Sequence, residues 1–122
     1  MITLADFKGR NKREVVEEFF DRPYDYEGRK YKNVELPFNV DDIEVLLAYY
    51  SCEGYEGTAF VLYKQDGELF EVNGGHCSCN GLEGQWTPEP TTKQALEHRM
   101  VKGNDWTFGG FKNELKTVLE NL

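Results

Sequence analysis

The sequence has no long hydrophobic run, no secretory signal pattern and no even set of cysteines. No apolar stretch approaches the length that spans a bilayer, so we expect neither a membrane-spanning segment nor a membrane partner. The chain reaches Asp6 before an apolar signal core develops, which argues against secretion. An odd count of three cysteines, without a signal, predicts reduced thiols in a cytoplasm.

Positive charge is also scarce, because 14 lysines and arginines stand against 22 aspartates and glutamates, for a formal charge of −8. Affinity for a nucleic-acid backbone comes mainly from cations, so direct nucleic-acid binding is not expected. The negative charge instead permits attraction to a basic protein surface. The alternative is that the acidity only keeps the protein soluble.

The length of 122 residues predicts one domain, 1–122, which can bury a single core without disulfides or metals. Aromatic residues make up 14% of the chain, which is typical of an ordered fold rather than a disordered chain. The pattern along the chain predicts an α+β protein, in which about three helices pack on an antiparallel β-meander of three to five strands.

The stretch 43–85 carries the clearest sheet pattern, and its centre is the dipeptide Asp66-Gly67. A two-residue type I′ turn needs positive φ at both positions, which this dipeptide accepts readily. Alternating apolar residues flank the turn and specify the same register. That register pairs Gln65 with Glu68, Tyr63 with Phe70, Val61 with Val72, and Ala59 with Gly74.

Capping and periodicity predict the other elements. Asn11 and Glu14 have the spacing of a capping box for a first helix, and Pro23 ends that helix. The other two helices are a short one capped by Thr91 or Thr92 and a last one whose apolar stripe runs from Phe111 to Leu122. The predicted strands are 34–36, 43–52, 58–65, 68–74 and 82–87, and residues 1–10 are interpreted as a lead-in.

Cysteine and histidine residues gather at one end of the predicted sheet. The register puts His76 beside Gly57 and brings Cys52 within about 10 Å of His76 at the backbone. The set Cys52, His76, Cys77 and Cys79 has three possible interpretations: a zinc site, a thiol nucleophile activated by His76, and a structural loop. The adjacency of His76 and Cys77 is poor spacing for zinc and no third orienting group is evident, so we favour the structural loop and expect no cofactor.

Acidic residues form the main candidate binding surface. One group lies on the predicted polar side of the first helix, and a second group flanks the first central strand together with Glu44. The candidate binding residues are Glu14, Glu17, Glu18, Asp21, Asp41, Asp42, Glu53, Tyr55 and Glu56. Trp86 and Trp106 are interpreted as residues that close the core rather than as a recognition surface.

Two segments, Tyr50–Leu62 and His76–Trp86, resemble small uncharacterised proteins encoded by tailed bacteriophages. The distinctive motif is Tyr-Ser-Cys-Glu-Gly in the first segment and Cys-Ser-Cys-Asn-Gly-Leu-Glu-Gly-Gln-Trp in the second. The resemblance covers roughly residues 43–97. It carries over no catalytic residue. It implies action in the cytoplasm of an infected bacterial host, with host takeover or counter-defence as the role class.

The leading hypothesis is therefore a non-enzymatic phage accessory protein that binds and modulates a host protein with a basic surface, such as a nucleic-acid-binding or defence protein. One alternative is a small metal- or thiol-dependent enzyme centred on the cysteine and histidine loop. A second alternative is an interaction module in virion assembly. The sequence leaves the oligomeric state open.

Overall fold

The described part of the protein is built on a five-stranded sheet. The computed structural model describes residues 1–21, 27, 29, 34–53, 56–76, 81–102, 108 and 110–122, with only the backbone of Cys52, Glu53 and His76. The strands are β1 (Ile2–Ala5), β2 (Glu44–Glu53), β3 (Glu56–Gln65), β4 (Glu68–His76) and β5 (Glu89–Thr91). The helices are α1 (Lys12–Glu18), α2 (Lys93–Lys102) and α3 (Lys112–Glu120), with a 3₁₀ turn at Val40–Asp42.

The strands lie in the order β1-β2-β3-β4-β5. Strands β2 to β5 form the predicted antiparallel meander, and with three helices the α+β class is confirmed. The interpretation of residues 1–10 as a lead-in is wrong, because Ile2–Ala5 pairs with β2 in parallel, with Ile2 opposite Leu47. Four residues give too short an alternation to identify a strand whose partner lies far along the chain.

The β3–β4 hairpin has the register that the sequence predicts. Gln65 lies opposite Glu68, and Val61 lies opposite Val72. Asp66 has φ of 53° and Gly67 has φ of 81°, so both turn residues adopt the left-handed conformation that the turn type requires.

A β-bulge interrupts β2 between Val45 and Leu47. The extra residue changes which face the following side chains occupy. Val45 and Ala48 therefore lie in one core although they are three positions apart, while Leu47 lies in the other.

The sheet separates two hydrophobic cores. The first core packs α1 on one face of the sheet, through Val15 and Val16, and the second packs α2 and α3 on the other face, through Leu96 and Leu115. Central strands that are covered on both faces explain why the middle of β2, residues 45–50, and the middle of β3, residues 59–63, are continuously apolar.

Helix α1 begins as predicted. The Asn11 side chain accepts a hydrogen bond from the Glu14 amide at 2.8 Å, and the Glu14 carboxylate accepts one from the Asn11 amide at 3.0 Å. The predicted end at Pro23 is too late, because regular α-helix stops at Glu18. The amides of Phe19 and Phe20 donate to carbonyls three residues back, which tightens the last turn.

At the start of α2, the hydroxyl of Thr92 accepts from the Ala95 amide at 3.0 Å, so Thr92 rather than Thr91 is the capping residue. In the described part of the chain, no helix is long and apolar enough to cross a bilayer.

Two predicted short strands are wrong. Residues 34–36 are not a strand, and in place of 82–87 the fourth strand of the meander is Glu89–Thr91. The segment 82–87 departs from strand geometry because Leu82 is buried in the first core and Gly84 takes a φ of 77°. Pro90 is tolerated in β5 because this strand lies at the edge of the sheet.

Candidate functional site

The acidic residues of α1 are largely engaged within the protein. Glu14 belongs to the capping box, and Glu18 lies 3.5 Å from Arg10. The expectation that Glu17 lies on the polar side is wrong, since its side chain is 1% exposed and its carboxylate lies 3.3 Å from Arg13. A buried carboxylate needs such a cation, and the sequence signal was the Arg-x-x-x-Glu spacing of one helical turn.

Asp41 and Asp42 have a different environment. Both lie in the 3₁₀ turn, where the Asn39 side chain accepts from the Asp41 amide at 3.0 Å, and both are exposed. Within the described residues neither carboxylate forms an ion pair. Lys12 of α1 reaches this segment, but its ammonium donates to the Ile43 carbonyl at 2.9 Å. We call Asp41, Asp42 and the exposed Glu44 the acidic segment.

The other predicted acidic residues lie at the far end of β2. Glu53 and Glu56 are opposite each other where β2 passes into β3, and Tyr55 lies outside the described residues. Nine residue steps separate Glu44 from Glu53 along the strand, which is about 30 Å. The predicted acidic residues therefore do not form one surface. Asp21, three residues beyond the end of α1, is exposed and has an interaction partner of its own.

The predicted register of the cysteine and histidine residues is confirmed at the backbone. Gly57 of β3 lies opposite Cys52 on one side and His76 on the other. The positions of Cys77 and Cys79 lie outside the described residues. Among the residues that are described, no group of three or more cysteine, histidine or acidic side chains is placed to hold a metal ion.

Gln85 fixes the segment that follows β4. Its amide oxygen accepts from the Gly75 amide, and its amide nitrogen donates to the carbonyls of Gly75 and Gly81. A Cβ atom at Gly74 would lie 3.1 Å from Leu82 and 3.2 Å from both Gln85 and Phe19, so a larger residue here would have to displace these side chains by a few tenths of an ångström. Sequence reasoning did not identify this role, although two adjacent glycines at a strand end signal a close approach.

A second feature that the sequence did not reveal joins β4 to α2. Arg99 Nη1 lies 2.8 Å from both carboxylate oxygens of Glu71, whose side chain is 7% exposed. Asn73 donates to the same carboxylate at 2.9 Å, and the guanidinium carbon of Arg99 lies 4.7 Å from the centre of the Phe108 ring. The cation stacks on the ring and neutralises the carboxylate, which is the arrangement of a structural ion pair.

Trp86 closes the first core, as the sequence predicts. Its ring stacks on Tyr63 at 5.5 Å and on Phe38 at 5.9 Å between ring centres, and it meets Phe19 edge-on at 5.5 Å. Burial in the first core raises the pKa of the Tyr63 hydroxyl above its ordinary value of 10.0, because it disfavours the charged phenolate. Trp106 lies outside the described residues.

These features define an α+β protein in which a mixed sheet, covered on both faces, presents an acidic segment beside α1. Comparisons with models of protein families, with curated proteins and with solved structures find no match to this chain.

Proposed function

We propose that the protein is a non-enzymatic phage accessory protein that binds and modulates a basic host protein in the cytoplasm of an infected bacterium. Asp41 and Asp42 are the residues that dock on the basic surface. The proposal that the protein acts in a bacterium rests on the resemblance of residues 50–62 and 76–86 to phage proteins. The class of partner, a nucleic-acid-binding or defence protein, rests on charge complementarity with a chain of net charge −8.

The observation that supports the proposal is that some acidic side chains have partners within the protein while others do not. Glu14, Glu17 and Glu18 serve the helix cap or nearby arginines, so they have little free negative charge to offer. Asp41 and Asp42 are exposed, adjacent and without a cation partner in the described residues. Two such carboxylates on a short, capped turn form a preorganised anionic feature that accelerates encounter with a cationic surface.

The test compares two variants that change the charge equally. Asp41→Lys/Asp42→Lys reverses the charge of the two docking residues, while Glu83→Lys/Glu89→Lys reverses two exposed acidic residues elsewhere. The wild type and the two variants are each immobilised and exposed to a bacterial lysate. Proteins that the wild type enriches are identified and purified. We expect the first variant to lose those proteins and the second to retain them.

Binding kinetics with the purified partner then test the mechanism. Reversal at Asp41 and Asp42 should lower the association rate about tenfold at low salt and change the dissociation rate little. The difference should shrink at physiological ionic strength, where exposed charges are screened over about 8 Å. Equal association rates for the wild type and this variant would mean that the negative charge serves only to keep the protein soluble.

A further inference from the structure

A groove between α2 and α3 lies on the face of the sheet opposite the acidic segment. Its volume is about 540 Å³. Its apolar part comes from Met100, Val101 and Leu119, and its cationic part comes from Lys93, Lys112 and Lys116. Val101 is 84% exposed, which is unusual for a large apolar side chain within a regular helix.

The segment that carries this groove, residues 93–122, differs in charge from the rest of the chain. Residues 93–122 contain five lysines and arginines against four acidic residues, whereas residues 1–92 contain nine against eighteen. Lys112 and Lys116 are one helical turn apart on α3, so they lie on the same side of that helix. Both are exposed and form no ion pair with the described residues.

Two acidic side chains also line the groove, and their positions leave these lysines available. Glu97 lies 3.9 Å from Lys93 within α2, so this pair neutralises itself. Glu120 is one turn beyond Lys116 and is not within ion-pair distance of it. The groove therefore offers an apolar floor with free cations along its α3 side.

We propose that this groove binds an amphipathic helix of a partner protein, with apolar side chains on one face and acidic side chains beside them. A third helix can lie between two neighbouring helices and insert side chains spaced at i, i+3, i+4 and i+7. Val101 and Met100 contact those apolar side chains, and Lys112 and Lys116 pair with the acidic ones. This surface is independent of the acidic segment, so the protein can hold a basic and an acidic partner together.

The probe is a designed alanine-rich peptide of about 15 residues, a length at which isolated helices become stable. It carries leucines at i, i+3, i+4 and i+7 and glutamates on both flanks. A matched peptide has lysine in place of every glutamate. Fluorescence anisotropy measures affinity, and amide chemical shifts locate the binding site. We expect the glutamate peptide to bind at α2 and α3 and the lysine peptide to bind at least about tenfold more weakly.

Variants of the protein separate the groove from general charge effects. Val101→Asp and Lys112→Glu/Lys116→Glu should each weaken binding of the glutamate peptide about tenfold. Lys8→Glu/Lys64→Glu makes the same charge change elsewhere and should leave the affinity within about twofold. Thermal unfolding checks that each variant is folded.

Several outcomes overturn the proposal. Equal affinity for the two peptides, an equal loss in the Lys8→Glu/Lys64→Glu variant, or shift changes outside α2 and α3 would each do so. A concentration-dependent dimer that Val101→Asp abolishes would show that a second copy of this chain covers the groove instead. Asp41 and Asp42, on which the proposed function rests, are unchanged in these variants, so failure here does not affect the proposed function.

Discussion

Gln85 pairs with the backbone of Gly75 in the way that a neighbouring strand would. Its side-chain oxygen accepts from the Gly75 amide at 2.9 Å, and its side-chain nitrogen donates to the Gly75 carbonyl at 2.7 Å. In the described structure β5 pairs with β4 only from Leu69 to Glu71, so a single side chain serves the edge of β4 further along.

Replacing Gln85 by Leu should therefore destabilise the protein by about 0.5–1.5 kcal/mol, because hydrogen bonds to the backbone are lost and water replaces them at the exposed Gly75. Hydrogen exchange of the Gly75 amide should accelerate more than that of Val72. Glu83→Leu is the matched control, since it makes a similar change at an exposed position of the same segment and should keep the Gly75 amide protected. Urea unfolding gives the stability, and unchanged exchange at Gly75 in Gln85→Leu would contradict the interpretation.

The hairpin turn gives a second prediction. Gly67 has φ of 81° and a Cβ atom there would meet nothing within 4 Å, so any cost of substitution comes from the backbone. Gly67→Val should destabilise the protein by about 1–3 kcal/mol, because a β-branched residue resists positive φ. Gly67→Asn should cost much less, since asparagine enters the left-handed region readily. Similar urea midpoints for the two variants would show that the turn has another conformation.

The Glu71–Arg99 ion pair gives a third. Arg99→Leu removes the cation and leaves a carboxylate that is 7% exposed, so we expect a loss of about 1–3 kcal/mol. Adding Glu71→Leu should recover much of that loss, because an apolar pair can replace a buried ion pair. A double-mutant cycle measured by urea unfolding provides the coupling energy. Additive losses would mean that the two side chains do not stabilise each other.

Tyr63 gives a pH dependence. Its pKa is raised in the folded protein because burial disfavours the phenolate, so the unfolded chain ionises first as pH rises. Its contribution to stability is complete below the ordinary pKa of 10.0 and is lost as pH rises through the folded pKa. The wild type should therefore lose more stability than Tyr63→Phe between about pH 9 and about pH 11. Urea titrations at each pH give the free energy of unfolding of both proteins. A difference in this free energy that stays constant over the pH range would refute the effect.

The thiols give the last prediction. The backbone register puts Cys52 and His76 two strand spacings apart, about 10 Å, with Gly57 between them. We expect three reduced cysteines and no stoichiometric zinc. Thiol titration of the unfolded protein and elemental analysis of the purified protein measure both quantities. One zinc per chain that Cys79→Ser abolishes would establish a metal site instead of a structural loop.

Local signals account for what the sequence predicted well. The Asp66-Gly67 turn and the alternation beside it specify the β3–β4 register within about 20 residues, because every pair in that hairpin is close along the chain. The box formed by Asn11 and Glu14 is likewise a contact over three residues. Such patterns need no knowledge of the rest of the fold.

Features that depend on distant partners were missed. Strand β1 is stabilised by a strand far along the chain. Strand β5 contains Pro90, and a proline normally predicts the end of a strand. Glu17 seemed solvent-facing because its burial depends on how α1 lies on the sheet. Charge counting also treated all acidic residues alike, whereas internal pairing distinguishes Glu17 from Asp41.

The parallel pairing of β1 has a consequence for how the protein assembles. Ile2 and Leu47 are about 45 residues apart, so β1 cannot dock until a large loop closes, whereas β2, β3 and β4 join through short connections. During synthesis β1 leaves the ribosome before its partner β2, yet it is among the last of these strands to pair. Until it does, the outer edge of β2 is open to the β1 of another molecule, and crowded expression should favour domain-swapped dimers.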